Sequence, residues 1–496
     1  MKEIEQLIEI SRKYGRDSRY VIAGGGNTSY KNADKLWVKA SGCTLATITE
    51  DGFAVLDRKK LNVIPEKTYP ADTAAREEEV KNDLAAACIT KDRRPSVETS
   101  MHNALSAAFI VHLHPTMVNG LMCGQNAEAE TARLFGDEAV YIPYTDPGYV
   151  LFKEVDDRIK AYKAKFGKEP AILLLQNHGI FVGADTTAEV EAIYDRVLST
   201  IEKAAGVSLP EGDKPVCDCV QEVLPAIRMM LSKQGIKTLR VRNNALIERY
   251  ASSESEYAKV AAPFSPDAIV YCKSKYIYLA AADKQALLEQ AQTQIEQYVA
   301  ANGYTPKVLL IKGIGLVAVG DNAAGCDIIL DVYEDMMKIA AIAQSFGGEH
   351  PMTQRQIDFI PALQLRQLVF RLNSCHVCLL LEHQFILLCG FDHIGVDFTA
   401  RRSFQAEVED LNQISKAAML HIRTDFCEHF SRICGKMVLA QMGKGSLGGN
   451  TFELQLIFPA IQLCEIVLPC AFFDCGLQLR CTCQDDRRPG VVPYFP

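Results

Sequence analysis

No run of about 18 uncharged apolar residues, the length a membrane-spanning helix needs, occurs in these 496 residues. The apolar stretch 454–477 is broken by Pro459, Glu465 and Pro469, which argues against a span there. A basic stripe is also missing. With a formal net charge of −8 the chain offers little to a phosphodiester backbone, so no nucleic-acid partner is expected. The N-terminal MKEIEQLIEISRKYG sets Ile4, Leu7, Ile8 and Ile10 among charged residues. It reads as an amphipathic helix without the apolar core of a secretory signal, so a cytoplasmic protein is expected. A Walker loop is absent, and 24–29 lacks a dinucleotide fingerprint. Histidine is scarce as well: residues 1–200 hold only four.

What is present is a soluble globular composition, 48% hydrophobic and 23% charged, long enough for two or three domains. Residues 1–210 alternate helix and strand patterns. Strands are expected at 36–38, 53–56, 109–113 and 171–175, with helices over 97–108 and 187–205. Such alternation makes a layered α/β fold. Over 215–360 the pattern partly repeats. The run from Ile172 to Gly183 is echoed by Val308 to Gly320, each followed by a helix, and 110–114 is paired more loosely with 269–273. On that pairing Tyr271, Lys273 and Ile314 would stand where His112, His114 and His178 stand, so the second copy could not hold the same ion. Composition breaks near Ile360. Seven cysteines precede it and ten follow; lysines fall from 26 to 3. Residues 361–496 are therefore expected to be an atypical Cys-rich tail, out-of-frame or poorly ordered, with an accessory domain as the alternative. Its Cys-x-x-Cys and Cys-x-Cys pairs lack a second pair at metal-site distance.

The chemistry concentrates in the first part. His112 and His114 flank one residue on an expected strand, and i and i+2 of a strand share a face. A third imidazole, His178, follows another strand in Asn177-His178-Gly179. Three histidines and an open position are a common catalytic zinc arrangement. Each alone reads better as an ordinary polar residue, but together they use three of the four histidines available. Glu98, just upstream on the helix leading into the strand, suits a fourth ligand or a general base; a helix N-terminus would also favour it. Gly24-Gly25-Gly26-Asn27-Thr28-Ser29, Lys39-Ala40-Ser41-Gly42 and Pro95-Ser96 are small polar turns whose backbone N–H groups can cradle an anion.

Taken in order, Gly26-Asn27-Thr28-Ser29, Lys39-Ala40-Ser41-Gly42, Ser96-Val97-Glu98, His112-Leu113-His114 and Asn177-His178-Gly179 resemble the class II aldolase/adducin family. Residues 215–360 look like the rest of the aldolase part of bifunctional rhamnulose-phosphate aldolase/dehydrogenase proteins, to which 142–148 is also similar. The resemblance implies a three-layer α/β/α domain, often tetrameric, with Zn²⁺ on His112, His114 and His178. It implies a substrate phosphate held by Asn27, Thr28, Ser41, Gly42 and Ser96, with Glu98 moving the proton. Tyr144 or Tyr149 would serve the aldehyde oxygen. The implied reaction is cleavage of a phosphorylated ketose to dihydroxyacetone phosphate and a small aldehyde. A pentulose-phosphate 4-epimerase and a non-catalytic adducin-like interaction protein are the alternatives; a glutamate at 98 favours the aldolase.

Overall fold

In the computed structural model, residues 1–360 are described apart from a few single positions, Val97 among them, together with three strands of the tail. Residues 1–367 form one compact unit and 368–496 another. Seven strands make the first sheet: β1 Asn27–Lys31, β2 Lys35–Lys39, β3 Phe53–Asp57, β4 Phe109–Leu113, β5 Ala139–Ile142, β6 Ile172–Leu175 and β7 Gly179–Ala184, in the order β3-β2-β1-β4-β7-β6-β5. Side-chain alternation gives each strand two apolar faces. Val111, Leu113, Ile180 and Val182 pack beneath helices Lys2–Gly15 and Thr187–Ala205. Ile110, Leu173, Leu175 and Phe181 pack beneath helices Thr73–Ala87 and Tyr149–Phe166. The domain is thus three layers, with helices on both faces of the sheet.

Local sequence explains the clearest element. Helix Thr187–Ala205 opens on a capping box between Thr186 and Glu189 and ends at Gly206 in the left-handed region. Val190, Tyr194, Val197 and Ile201, three or four apart, form its buried face. The helix expected over 97–108 is shorter, Thr99–Ala104. Two acidic side chains claim the next backbone donors: Ser106 N–H donates to Glu169 at 2.7 Å and Ala108 N–H to Asp185 at 3.1 Å. The chain is pulled straight into β4 instead of continuing the spiral.

A second sheet, β8 Thr238–Arg242, β9 Ile277–Leu279, β10 Val308–Ile311 and β11 Gly315–Gly320, runs β8-β11-β10-β9. That matches β4-β7-β6-β5: in each the outer pair is parallel and the hairpin antiparallel. A helix of similar length joins the parallel pair, Tyr149–Phe166 in one and Lys284–Asn302 in the other. The strand corresponding to β4 is therefore β8, not 269–273. Pro266–Cys272 is a helix, because Ser265 caps it and Pro266 fits its first turn. Through the two registers, Val241 takes the place of His112 and Asn243 that of His114, and Ile314 lies in the hairpin turn, as His178 does. Tyr271 and Lys273 are not the counterparts. Of the expected tail, β12 Thr451–Phe458, β13 Ile461–Pro469 and β14 Gln478–Cys481 pair in the order β12-β13-β14; the remainder of 361–496 lies outside the described residues. No helix of the described residues is long and apolar enough to cross a membrane.

The two sheets are joined by helix Ala323–Ala343 packing on helix Thr116–Met122, which directly follows the histidine strand. Gly120 permits the close crossing: a Cβ there would sit 2.3 Å from Ile342 Cγ2. Gly120→Ala is expected to cost about 1–3 kcal/mol by overpacking, read as a lower urea midpoint. An unchanged midpoint would show that the crossing has slack.

Candidate metal centre

β4 pairs with β1 and β7 so that Asn27 lies opposite His112 on one side and Phe181 on the other. His112 is fully buried and stacks on the Phe181 ring at 4.0 Å. Its Nδ1 lies 3.0 Å from the Ile180 carbonyl oxygen, which can only accept, so Nδ1 carries the proton and Nε2 is left as a lone-pair donor. His114, two residues on, turns to the same side. Its Nδ1 is 2.6 Å from an Asp267 carboxylate oxygen, so its Nε2 is likewise free for a cation. His178 sits in the β6–β7 turn, which Asn177 enters with a φ of 53°.

The three rings converge. Their centroids lie 4.8–5.1 Å apart, and one ring nitrogen from each falls within 4.8 Å of the others. His112 Nε2 and His114 Nε2 are 3.0 Å apart. Glu98 Oε1 is 3.4 Å from His112 Nε2 and 3.2 Å from His178 Nε2. A tetrahedral ion with bonds of about 2.0–2.1 Å holds its donors roughly 3.3 Å apart. Three imidazole nitrogens therefore have the chemistry, and lie close enough, to hold a small divalent cation, with the Glu98 carboxylate beside them.

Charge agrees with that fit. Burial draws His112 down to about 4, which keeps it neutral at pH 7. Glu98 feels the same burial in the opposite sense, but His112 and His178 outweigh it and hold the carboxyl well below its ordinary range. For His114 burial is also opposed, here by Asp267, and the net direction is upward. A cation arriving at neutral pH meets an ionised carboxylate, a neutral His112 and a His114 whose Nδ1 proton is already engaged.

The other expected residues divide. Asn27 donates its amide N–H to Glu98 Oε2, fixing the carboxylate. Ser96 Oγ accepts from the Glu98 backbone N–H at 3.2 Å. Ser41 Oγ donates to the Pro95 carbonyl, and the Ala40–Pro95 bridge lays the Ser41-Gly42 turn beside the 95–98 segment. Gly42, at φ +85°, opens onto free space. Thr28 differs from expectation: strand alternation turns its hydroxyl to the opposite face, 2.7 Å from Ser11 Oγ, and it is wholly buried there. Tyr144 lines a cavity with His178, Gln176 and Pro266, and its buried hydroxyl has no protein partner. Burial pushes that phenol up, so it keeps its proton. Tyr149 packs on Tyr69 and Phe152 instead. Sequence reasoning passed over two residues. Lys39, read only as part of a turn, is 6% exposed; burial lowers its pKa, and Glu98 and Asp267 oppose that. Asp267 lies in a segment without any motif.

The family described as Class II Aldolase and Adducin N-terminal domain matches residues 5–205. The chain is similar to an uncharacterized oxidoreductase, YuxG, of Bacillus subtilis, at 23% identity over 410 residues, 73% of this chain and 57% of that protein. It thus spans little more than half of that relative's length. It is similar to an L-fuculose phosphate aldolase of Methanocaldococcus jannaschii at 24% identity over 187 residues, 36% of this chain and 81% of that one. A solved class II aldolase domain from Thermoplasma acidophilum is 27% identical with a TM-score of 0.35, covering 40% of this chain and 92% of its own. Residues 5–205, which hold all three converging histidines, match the class II aldolase/adducin N-terminal domain family.

Proposed function

We propose that the chain is a zinc-dependent aldolase that cleaves a phosphorylated ketose, rhamnulose 1-phosphate-like, to dihydroxyacetone phosphate and a small aldehyde such as lactaldehyde. The observation that carries this reading is the meeting of three imidazole nitrogens, each within 4.8 Å of the others, beside one ionised carboxylate. Zn²⁺ bound there would supply Lewis acidity at the ketose oxygens. Every other task falls to the chain's own residues.

Glu98 is the group that moves a proton at the carbon left electron-rich when the carbon–carbon bond breaks. Asn27 holds the far oxygen of that carboxylate, so its orientation does not depend on the substrate. The Ser41-Gly42 and Ser96 turns lie side by side, and the Gly42 backbone N–H and the Ser96 hydroxyl are the donors they would offer the phosphate, with the buried Lys39 ammonium adding charge. Tyr144, protonated and beside His178, is the better placed of the two tyrosines to donate to the aldehyde oxygen in the condensing direction. The likeness to fuculose-phosphate aldolases supports a sugar phosphate as partner, and the family likeness supports a homo-oligomer.

A panel of ketose 1-phosphates, incubated with and without chelator, tests the reading. Free aldehyde should appear, vanish on full metal removal and return with Zn²⁺. Epimerised sugar without aldehyde would mean a 4-epimerase, and no turnover on a folded, metal-free chain would favour an interaction protein. Glu98→Gln should lower turnover by about 10²–10⁴-fold, the usual size of a general acid–base contribution. Metal content, measured on the same sample, should persist. Loss of zinc from that variant would make Glu98 chiefly a ligand.

A further inference from the structure

The second α/β region, which has Val241, Asn243 and Ile314 at the positions of the three histidines, still reaches the site of the first at three points. Asp267, from helix Pro266–Cys272, takes the Nδ1 proton of His114 into a hydrogen bond of 2.6 Å. Tyr271, one turn further along that helix, accepts the Gly24 backbone N–H on its hydroxyl at 3.1 Å. Asn177, directly before His178, donates its amide to the carbonyls of Phe264 and His350, each at 2.9 Å. The elements carrying His114, His178 and the glycine turn are therefore each tied to residues 264–350. Gly25 makes room for the first tie: a Cβ there would lie 3.2 Å from Asp267 Oδ2 and 3.3 Å from His114 Nδ1.

We propose that Asp267 is a positioning residue that holds His114 with Nε2 aimed at the cation, so that the second region is a working part of the metal centre. A carboxylate can only accept, so it fixes the proton on Nδ1 and commits Nε2 to the ion. Its partner ligand His112 obtains the same constraint from a backbone carbonyl, Ile180. The difference matters. A backbone acceptor comes with the strand pairing of the first domain, whereas Asp267 arrives from a helix 153 residues away. His114 is thus the ligand whose orientation depends on how the second region docks. An ordinary surface ion pair is a poor description, because the Asp267 side chain is 34% exposed and that of His114 16%, and the imidazole has its other nitrogen 3.0 Å from a second ligand.

The inference rests on the metal centre proposed above, and its test separates the two. Zn²⁺ affinity is measured on the full chain by competition with a chelating indicator, alongside the melting temperature of the metal-free protein. Asp267→Ala should weaken Zn²⁺ binding about 10–100-fold, the usual cost of losing such a partner, with the metal-free melting temperature little changed. Asp267→Asn, whose amide oxygen still accepts from Nδ1, should recover part of the loss. Wild-type affinity in D267A overturns this inference while leaving the centre itself standing; a wild-type chain that binds no Zn²⁺ overturns both. Should D267A fail to fold, Asp267→Ser, whose side chain ends short of His114 Nδ1, takes its place: weakened binding supports the positioning role, and wild-type binding rejects it.

Discussion

Three imidazoles and a carboxylate share one small space, and nearly everything around them serves to keep them there. Left alone, a charge as buried as that of Glu98 costs on the order of several kcal/mol. The Asn27 amide N–H on Oε2 offsets part of that cost, and a cation bound beside Oε1 would offset more. The same amide contact fixes the carboxylate against the ligand nitrogens. The arrangement depends on register. A one-residue slip of β4 against β1 or β7 would turn His112 and His114 to the opposite face and send Val111 and Leu113 toward Glu98 and His178. The apolar layers resist this, since Val111 and Leu113 are fully buried under helix Thr187–Ala205. A further buried tie runs across that layer from the Tyr194 hydroxyl to the Val111 carbonyl at 3.0 Å.

The second sheet gives this geometry an outer wall. It repeats the strand order of β4-β7-β6-β5 without repeating the ligands. Tyr333 on its long helix donates to the Val260 carbonyl much as Tyr194 donates to Val111. That helix also carries Asp335, whose carboxylate accepts from the Thr116 hydroxyl two residues beyond His114. Architecture has been kept while chemistry sits on one copy, and the contacts of the other converge on the segments that carry the chemistry.

Much of this was legible in the sequence because it follows from short-range rules. Strand alternation alone puts His112 and His114 on one face, and the motif before Gly179 sets His178 at the end of β6. Helix Thr187–Ala205 was readable to the residue because its cap, periodicity and terminating glycine agree. Short apolar runs were the weak point. Ile269-Val270-Tyr271 suits a strand as well as a helix, and Ser265-Pro266, a helix start, decided it. The strand reading of 269–273 hid Asp267, since a residue at the start of a helix docks differently from one beside a strand. Thr28 was misplaced for a related reason: 27–29 was read as a turn, whereas β1 alternation sends its hydroxyl to Ser11. Partnerships 153 residues apart leave no local mark.

Whether a cation joins the three imidazoles is addressed directly by diffraction data collected on either side of the zinc absorption edge, from crystals grown with Zn²⁺. One strong anomalous peak is expected about 2.0–2.1 Å from Nε2 of His112, His114 and His178. A peak elsewhere, or imidazoles turned toward separate surfaces around an empty centre, would contradict that expectation.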